Sequence, residues 1–101
     1  MDERRRHPRV EQYFECAWHS EWGQERSRAS NLSEGGCYIE SRRAVAQGTH
    51  LPAITIMLPT GEINVQGVVV HSIRGVGFAV QFTEVDADAH TRLSALPSNP
   101  Q

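Results

Sequence analysis

The chain has 101 residues and a formal net charge of -2 at pH 7, with 39% hydrophobic and 22% charged residues. This length accommodates one domain with a modest core, and the composition excludes general disorder. There is no run of about 18 apolar residues and no signal peptide pattern, so we expect a cytoplasmic protein without membrane insertion.

Residues 1–9 are predicted to form a flexible basic arm. They show no apolar periodicity, and they contain Arg4, Arg5, Arg6 and Arg9. Beyond Arg74, by contrast, the chain has one arginine and three acids. Because arginines are concentrated in this arm while the whole chain is slightly acidic, we expect a local anionic ligand and no DNA partner.

Residues 10–97 are predicted to form the folded domain, with 98–101 as a tail. Apolar residues alternate with polar ones in several short segments, which is the period of half-buried strands. Turn residues separate these segments, and Gly67 inside the longest predicts a bulge or a barrel corner. The expected strands cover residues 10–18, 24–30, 37–40, 54–58, 63–73 and 76–82.

Only residues 86–96 have a helical pattern. Asp86 and Asp88 stand at the expected positive end of the helix dipole, and Ala89, Leu93 and Leu96 recur at helical spacing. The fold class is therefore mainly all-β: a small six-stranded antiparallel β-barrel with a C-terminal α-helix that plugs or flanks it.

The sequence offers little support for catalysis, for a metal site or for a cofactor. Cys16 and Cys37 lack metal-ligand spacing and are predicted to be buried free thiols rather than a disulfide. The five histidines are scattered. Ser33 lies outside any G-x-S-x-G elbow, and Glu34 is expected to be a solvated loop acid. We predict that the protein is not an enzyme.

Aromatic residues near the start leave a nucleic-acid alternative open. Tyr13, Phe14, Trp18 and Trp22 are of the type that stacks on single-stranded bases. Alternation assigns Phe14 and Trp18 to the core, however, and no basic residues are interleaved with the other two. An RNA-binding barrel is therefore the less favoured interpretation.

Two short motifs resemble a known signature. Arg5-x-x-x-Arg9 is followed by Asn31-x-Ser33-x-x-Gly36. This pair resembles R-x-x-x-R and [D/N]-x-S-x-x-G of the PilZ domain family, the bacterial receptors for cyclic di-GMP, here of the single-domain type. Residues 75–82 and the closing helix are similar to the family's last strand and helix. Either motif alone is common by chance, but both in order are specific.

The resemblance implies a ligand site for cyclic di-GMP. Arg5 and Arg9 would contact guanine and phosphate, Asn31 and Ser33 would bond to the other guanine or to the polar edge of the ring, and Gly36 would keep the loop backbone clear. Arginine suits these roles because its planar fork makes bidentate contacts with guanine edges and phosphates.

Further candidates are weaker. Arg4 is similar to the family variant that binds an intercalated dimer of the nucleotide, so it joins the expected site. Arg6, Gly35 and His71 are possible additions. The implied function is a receptor or adaptor whose arm orders over the ligand and which signals to a separate protein. The alternative is a PilZ-like adaptor that ignores nucleotide and docks its arm on an acidic partner.

Overall fold

The computed structural model describes residues 12–96, which form a closed barrel of six antiparallel strands and one helix. The strands close in the order β1-β2-β3-β6-β5-β4. This confirms the fold class predicted from the sequence. The elements are β1 (Phe14–Ser20), β2 (Gly23–Ser30), β3 (Gly36–Glu40), β4 (His50–Leu58), β5 (Gly61–Ile73), β6 (Gly77–Val85) and α1 (Ala87–Ser94).

The core fills the barrel with the inward-facing half of each alternating strand. Trp18 and Phe78 are fully buried and meet edge to face, with ring centroids 5.1 Å apart and an interplanar angle of 80°. Such pairs add about 0.5–1.5 kcal/mol to the burial of their surface. Phe14 is buried as well, whereas Tyr13 and Trp22 are exposed. The predicted division of the four early aromatics is confirmed.

Strand pairing, rather than alternation alone, decides where the strands end. β4 begins at His50, four residues before the predicted strand, because His50 and Leu51 pair with β5 across a register shift. β6 extends to Val85, which pairs with Val65. The predicted first strand began at residue 10, whereas β1 begins at Phe14 and residues 10 and 11 lie outside the described part.

The bulge predicted at Gly67 is confirmed. The register between β5 and β6 shifts between Gln66 and Gly67. A Cβ atom built on Gly67 would lie 2.4 Å from Cγ1 of Val80 and 2.9 Å from the carbonyl oxygen of Gln81. Glycine therefore allows β5 to bend across β6 without a clash.

The antiparallel connections give the barrel two distinct ends. The loop end carries the start of β1, the β2–β3 loop, the β4–β5 turn and α1. The turn end carries the β1–β2 turn, the β3–β4 connection and the β5–β6 turn.

Helix α1 covers the loop end. Asp86, which the sequence placed at the positive end of the helix dipole, also caps the helix by accepting a hydrogen bond from the Ala89 amide at 2.8 Å. Ala89 and Leu93 are buried in the barrel core. The Arg92 guanidinium donates to the carbonyl oxygen of Thr60 in the β4–β5 turn. Within residues 12–96, no helix is long and apolar enough to span a bilayer.

Both cysteines are buried free thiols, as predicted. Cys16 lies on β1 and Cys37 on β3. Burial raises the pKa of the Cys16 thiol to about 11 and that of the Cys37 thiol to about 12, because the barrel interior disfavours the thiolate. The two side chains therefore behave as small apolar groups at neutral pH.

These raised pKa values predict that alkaline pH destabilises the fold. The unfolded thiols lose their protons near pH 9.0 while the folded ones retain them, so the free energy of unfolding should fall as pH rises from there towards about 11. The chain contains no lysine, so lysine titration does not contribute to the decline in this pH range. Urea denaturation between about pH 8 and pH 11 should show a clearly shallower decline for the Cys16→Ala, Cys37→Ala variant. Identical slopes in the two proteins would contradict the assignment.

Candidate functional site

Residues 31–36, which comprise the β2–β3 connection and the first residue of β3, contain the second sequence motif and are termed the motif loop. Asn31, Ser33, Glu34 and Gly35 are exposed at the loop end of the barrel. Leu32 is half-buried and packs against the core. One apolar anchor thus holds the loop while its polar groups face outward.

The backbone conformation at position 31 favours asparagine. Its φ angle is 51°, in the left-handed region, and it is the one non-glycine residue of the described chain with a positive φ. Asparagine and aspartate tolerate this conformation better than other L-residues. The [D/N] position of the motif therefore shapes the loop as well as supplying a polar side chain.

Ser33 closes the tip of the loop. Its backbone amide donates to the carbonyl oxygen of Gly36 at 2.9 Å, and its Oγ accepts a hydrogen bond from the Gly35 amide at 3.2 Å. A hydroxyl has one donor and two acceptor positions, so the Ser33 O–H remains able to donate to a ligand. The loop is thereby ordered before any ligand arrives.

The glycines of the motif join the loop to β6. The Phe82 amide donates to the carbonyl oxygen of Gly35 at 2.8 Å. A Cβ atom on Gly36 would lie 2.1 Å from the carbonyl oxygen of Val80, which is backbone and cannot move aside. Gly36 is consequently required for the close approach of β3 to β6, a role that the sequence analysis did not assign to it.

Glu34 is not a simple solvated acid. Its carboxylate accepts a hydrogen bond from the Ser94 hydroxyl at 2.7 Å, and its other oxygen lies 3.2 Å from Nε2 of His90. Both partners belong to α1, so the carboxylate of the motif loop is directed towards the helix. The sequence carries no local signal for this contact, because Glu34 and Ser94 are 60 residues apart.

The other predicted site residues fall into two groups. His71 is exposed on β5 opposite Ala79, while Gly36 shares a row with Gln81 and Val68, so His71 lies two strands from β3 and away from the motif loop. The predicted residues Arg4, Arg5, Arg6 and Arg9 lie outside the described part of the chain.

Metal coordination has no candidate in residues 12–96, where no three His, Cys, Asp or Glu side chains are grouped closely enough to hold an ion. The motif loop itself offers hydrogen-bonding groups: the Ser33 hydroxyl, the Asn31 amide side chain and the backbone.

A family model, PilZ domain, matches residues 3–96. The chain belongs to the PilZ domain family. The match includes both sequence motifs, the six strands and the helix, so the resemblance inferred from the motifs is confirmed.

Several solved structures share the fold. The PilZ domain of YcgR from Escherichia coli, solved with c-di-GMP, is 18% identical with a TM-score of 0.67, and the match covers 91% of this chain and 87% of that one. The Bacillus subtilis inhibitor of motility, MotI/DgrA, is 20% identical with a TM-score of 0.71, covering 91% and 48%. K. pneumonia MrkH is 22% identical with a TM-score of 0.69, covering 85% and 43%.

The chain spans less than half the length of the MotI/DgrA and MrkH chains. At these identities the likenesses support the barrel architecture. No curated protein matches the sequence.

The close approach at Gly36 predicts a difference between the two adjacent glycines. Gly36→Ala should lower the free energy of unfolding by about 1–3 kcal/mol, because the new methyl group forces β3 away from β6. Gly35→Ala is the matched control: no atom lies within 4 Å of its Cβ position, and its φ is not in the left-handed region. Thermal unfolding measures both variants, and equal losses would contradict the packing described here.

Proposed function

We propose that this PilZ domain is a cytoplasmic receptor for cyclic di-GMP. The nucleotide would bind between the motif loop and the arginines of residues 4–9, and the complex would signal to a separate protein. The observation that carries the proposal is the ordered motif loop, whose Ser33 hydroxyl and Asn31 side chain are exposed at the end of the barrel where β1 begins.

The covalent chain supports a site shared by the two motifs. Phe14 begins β1 and pairs with Ala29, two residues before Asn31. Arg9 precedes Phe14 by five residues, and five residues span at most about 18 Å. The arginines of the first motif are thus tethered to the same end of the barrel as the motif loop.

The chemistry of the ligand fits these residues. Cyclic di-GMP carries two guanines and two phosphates, and Arg5 and Arg9 suit both because arginine binds guanine edges and phosphate bidentately. Ser33 offers a hydroxyl donor, and Asn31 offers an amide group. Arg4 would extend the site to a second nucleotide.

The position of Glu34 supports the binding of an anion. Its carboxylate is engaged by Ser94 and His90 of α1, which directs the negative charge of the loop towards the helix. A phosphate that approached Ser33 from the side away from α1 would be repelled less than it would be if the Glu34 carboxylate pointed towards it. In this proposal, residues 1–9 order over the ligand when its phosphates neutralise their charge.

Isothermal titration calorimetry tests the proposal. We expect saturable binding of cyclic di-GMP, weakened about tenfold or more by each of Arg5→Ala and Arg9→Ala, because a bidentate guanine contact is worth about 1–3 kcal/mol. Ser33→Ala should weaken binding by a smaller factor. Arg74→Ala, at the turn end, is the matched control and should leave the affinity unchanged.

The stoichiometry of the same titration tests Arg4. Two nucleotides per chain, reduced to one by Arg4→Ala, would support an intercalated dimer. Absence of saturable heat from the unmutated protein would contradict nucleotide binding and favour an adaptor that works through protein contacts alone. Tighter binding of RNA oligonucleotides, with a steep salt dependence, would favour the RNA-binding alternative.

A further inference from the structure

A cleft of about 400 Å3 lies towards the turn end of the barrel, away from the motif loop. Its walls are residues 25–27 of β2, residues 40–43 at and after the end of β3, and the β5–β6 turn. We term it the β2-edge cleft. It is lined by residues that include Glu25, Arg26, Arg42, Arg43, Gly75 and Val76.

The cleft exists because β2 and β3 differ in length. β1 pairs with β2 along its course, from Gly23 to Ala29. β3 pairs with only residues 28–30 of β2, since it ends at Glu40. Residues 23–27 of β2 therefore have no strand on their second side in the described part of the chain. An unpaired strand edge is a template for another extended chain.

The charges around the cleft are only partly compensated. Arg43 pairs with Glu25 at 2.7 Å and stacks on Trp22 at 4.5 Å, and Arg28 pairs with Glu40 at 3.0 Å. Three further arginines, Arg26, Arg42 and Arg74, lie at the cleft or beside it. Within residues 12–96, none of their guanidinium groups forms an ion pair or hydrogen bond with another side chain. The uncompensated charge of the cleft is positive.

Exposed apolar side chains border the same cleft. Trp22 stands just before β2 and is 63% exposed, while Ile73 and Val76 flank the β5–β6 turn and are 45% and 53% exposed. The turn is fixed by hydrogen bonds from the Val76 amide to Ile73 and from the Ser41 amide to Val76. An open strand edge, unpaired cations and apolar side chains thus occur together.

We propose that the β2-edge cleft binds an extended acidic segment of a partner protein, which adds as a strand beside residues 23–27. Its backbone would continue the β2 hydrogen-bond ladder. Its alternate acidic side chains would pair with Arg26, Arg42 and Arg74, and its apolar ones would cover Trp22 and Val76. The proposal does not depend on nucleotide binding, because the motif loop lies at the opposite end of β3.

Other occupants fit the cleft less well. Residues 1–11 of this chain carry four arginines against three acids, and residues 97–101 carry no acid, so neither terminal segment complements the charge. A nucleic acid supplies negative charge, but it cannot pair with a strand edge and would leave Ile73 and Val76 uncovered.

Fluorescence anisotropy with a labelled peptide of about nine residues, alternating valine and glutamate, tests the proposal. We expect saturable binding to the full chain. The same peptide with lysine in place of glutamate should bind at least about tenfold more weakly, and so should one with alternate amides N-methylated on one edge. No saturable binding, or binding indifferent to N-methylation, would overturn the proposal.

A pair of matched variants locates the binding. Arg26→Gln with Arg42→Gln should weaken binding of the Val/Glu peptide about tenfold. Gln47→Glu with Ala53→Glu makes the same change in net charge at exposed positions outside the cleft and should have little effect. Circular dichroism checks that both variants are folded. If the Arg26→Gln, Arg42→Gln variant is unfolded, binding of the N-methylated peptide to the unmutated chain still tests whether the partner adds as a strand.

Three further results would overturn the proposal. These are equal weakening in both variants, displacement of the peptide by an oligouridine at lower concentration than by unlabelled peptide, and a dimer in sedimentation velocity that the cleft substitutions dissociate. The last result would identify a second copy of the chain as the occupant. Because we propose that cyclic di-GMP binds at the loop end, the peptide experiments test the cleft independently of whether calorimetry detects nucleotide binding.

Discussion

The backbones of β3 and β6 make a close contact that shapes the adjoining part of the barrel. β3 has five residues. At each end of its pairing with β6, the two backbones are too close together to leave room for a side chain. A Cβ atom would lie 2.1 Å from Val80 O at Gly36 and 2.4 Å from Ile39 O at Gly77. This contact closes the barrel and sets the direction of the motif loop. Because β3 is short, it also leaves part of β2 without a neighbour.

The sequence predicts the parts of this protein that depend on local pattern. Alternation at period two reveals the strands and assigns Phe14 and Trp18 to the core, while Asp86 marks the start of the helix. Strand ends are less predictable, because His50 and Val85 are strand residues only through their partners on β5. The limits of β4 and β6 therefore required the structure.

The candidate site likewise has residues that the sequence predicts and contacts that only the structure reveals. Asn31 and Ser33 belong to a contiguous motif and can be recognised from the sequence. The contact of Glu34 with α1 joins residues 60 positions apart, and the β2-edge cleft arises from unequal strand lengths, eight residues in β2 and five in β3. The first leaves no local signal, and although the predicted strands 24–30 and 37–40 already differ in length, the strand edge that this exposes appears only once their pairing is known. In our proposals, nucleotide and partner occupy opposite ends of β3, separated by about 13 Å of strand.

Backbone amide NMR during a cyclic di-GMP titration shows which end of the barrel the nucleotide contacts. We predict that the signals of Ser33, Gly35 and Gly36 shift together with those of residues 4–9, while those of Gly75 and Val76 at the turn end remain in place. Shifts confined to the turn end, or no change in the motif loop at saturating nucleotide, would contradict the proposed receptor.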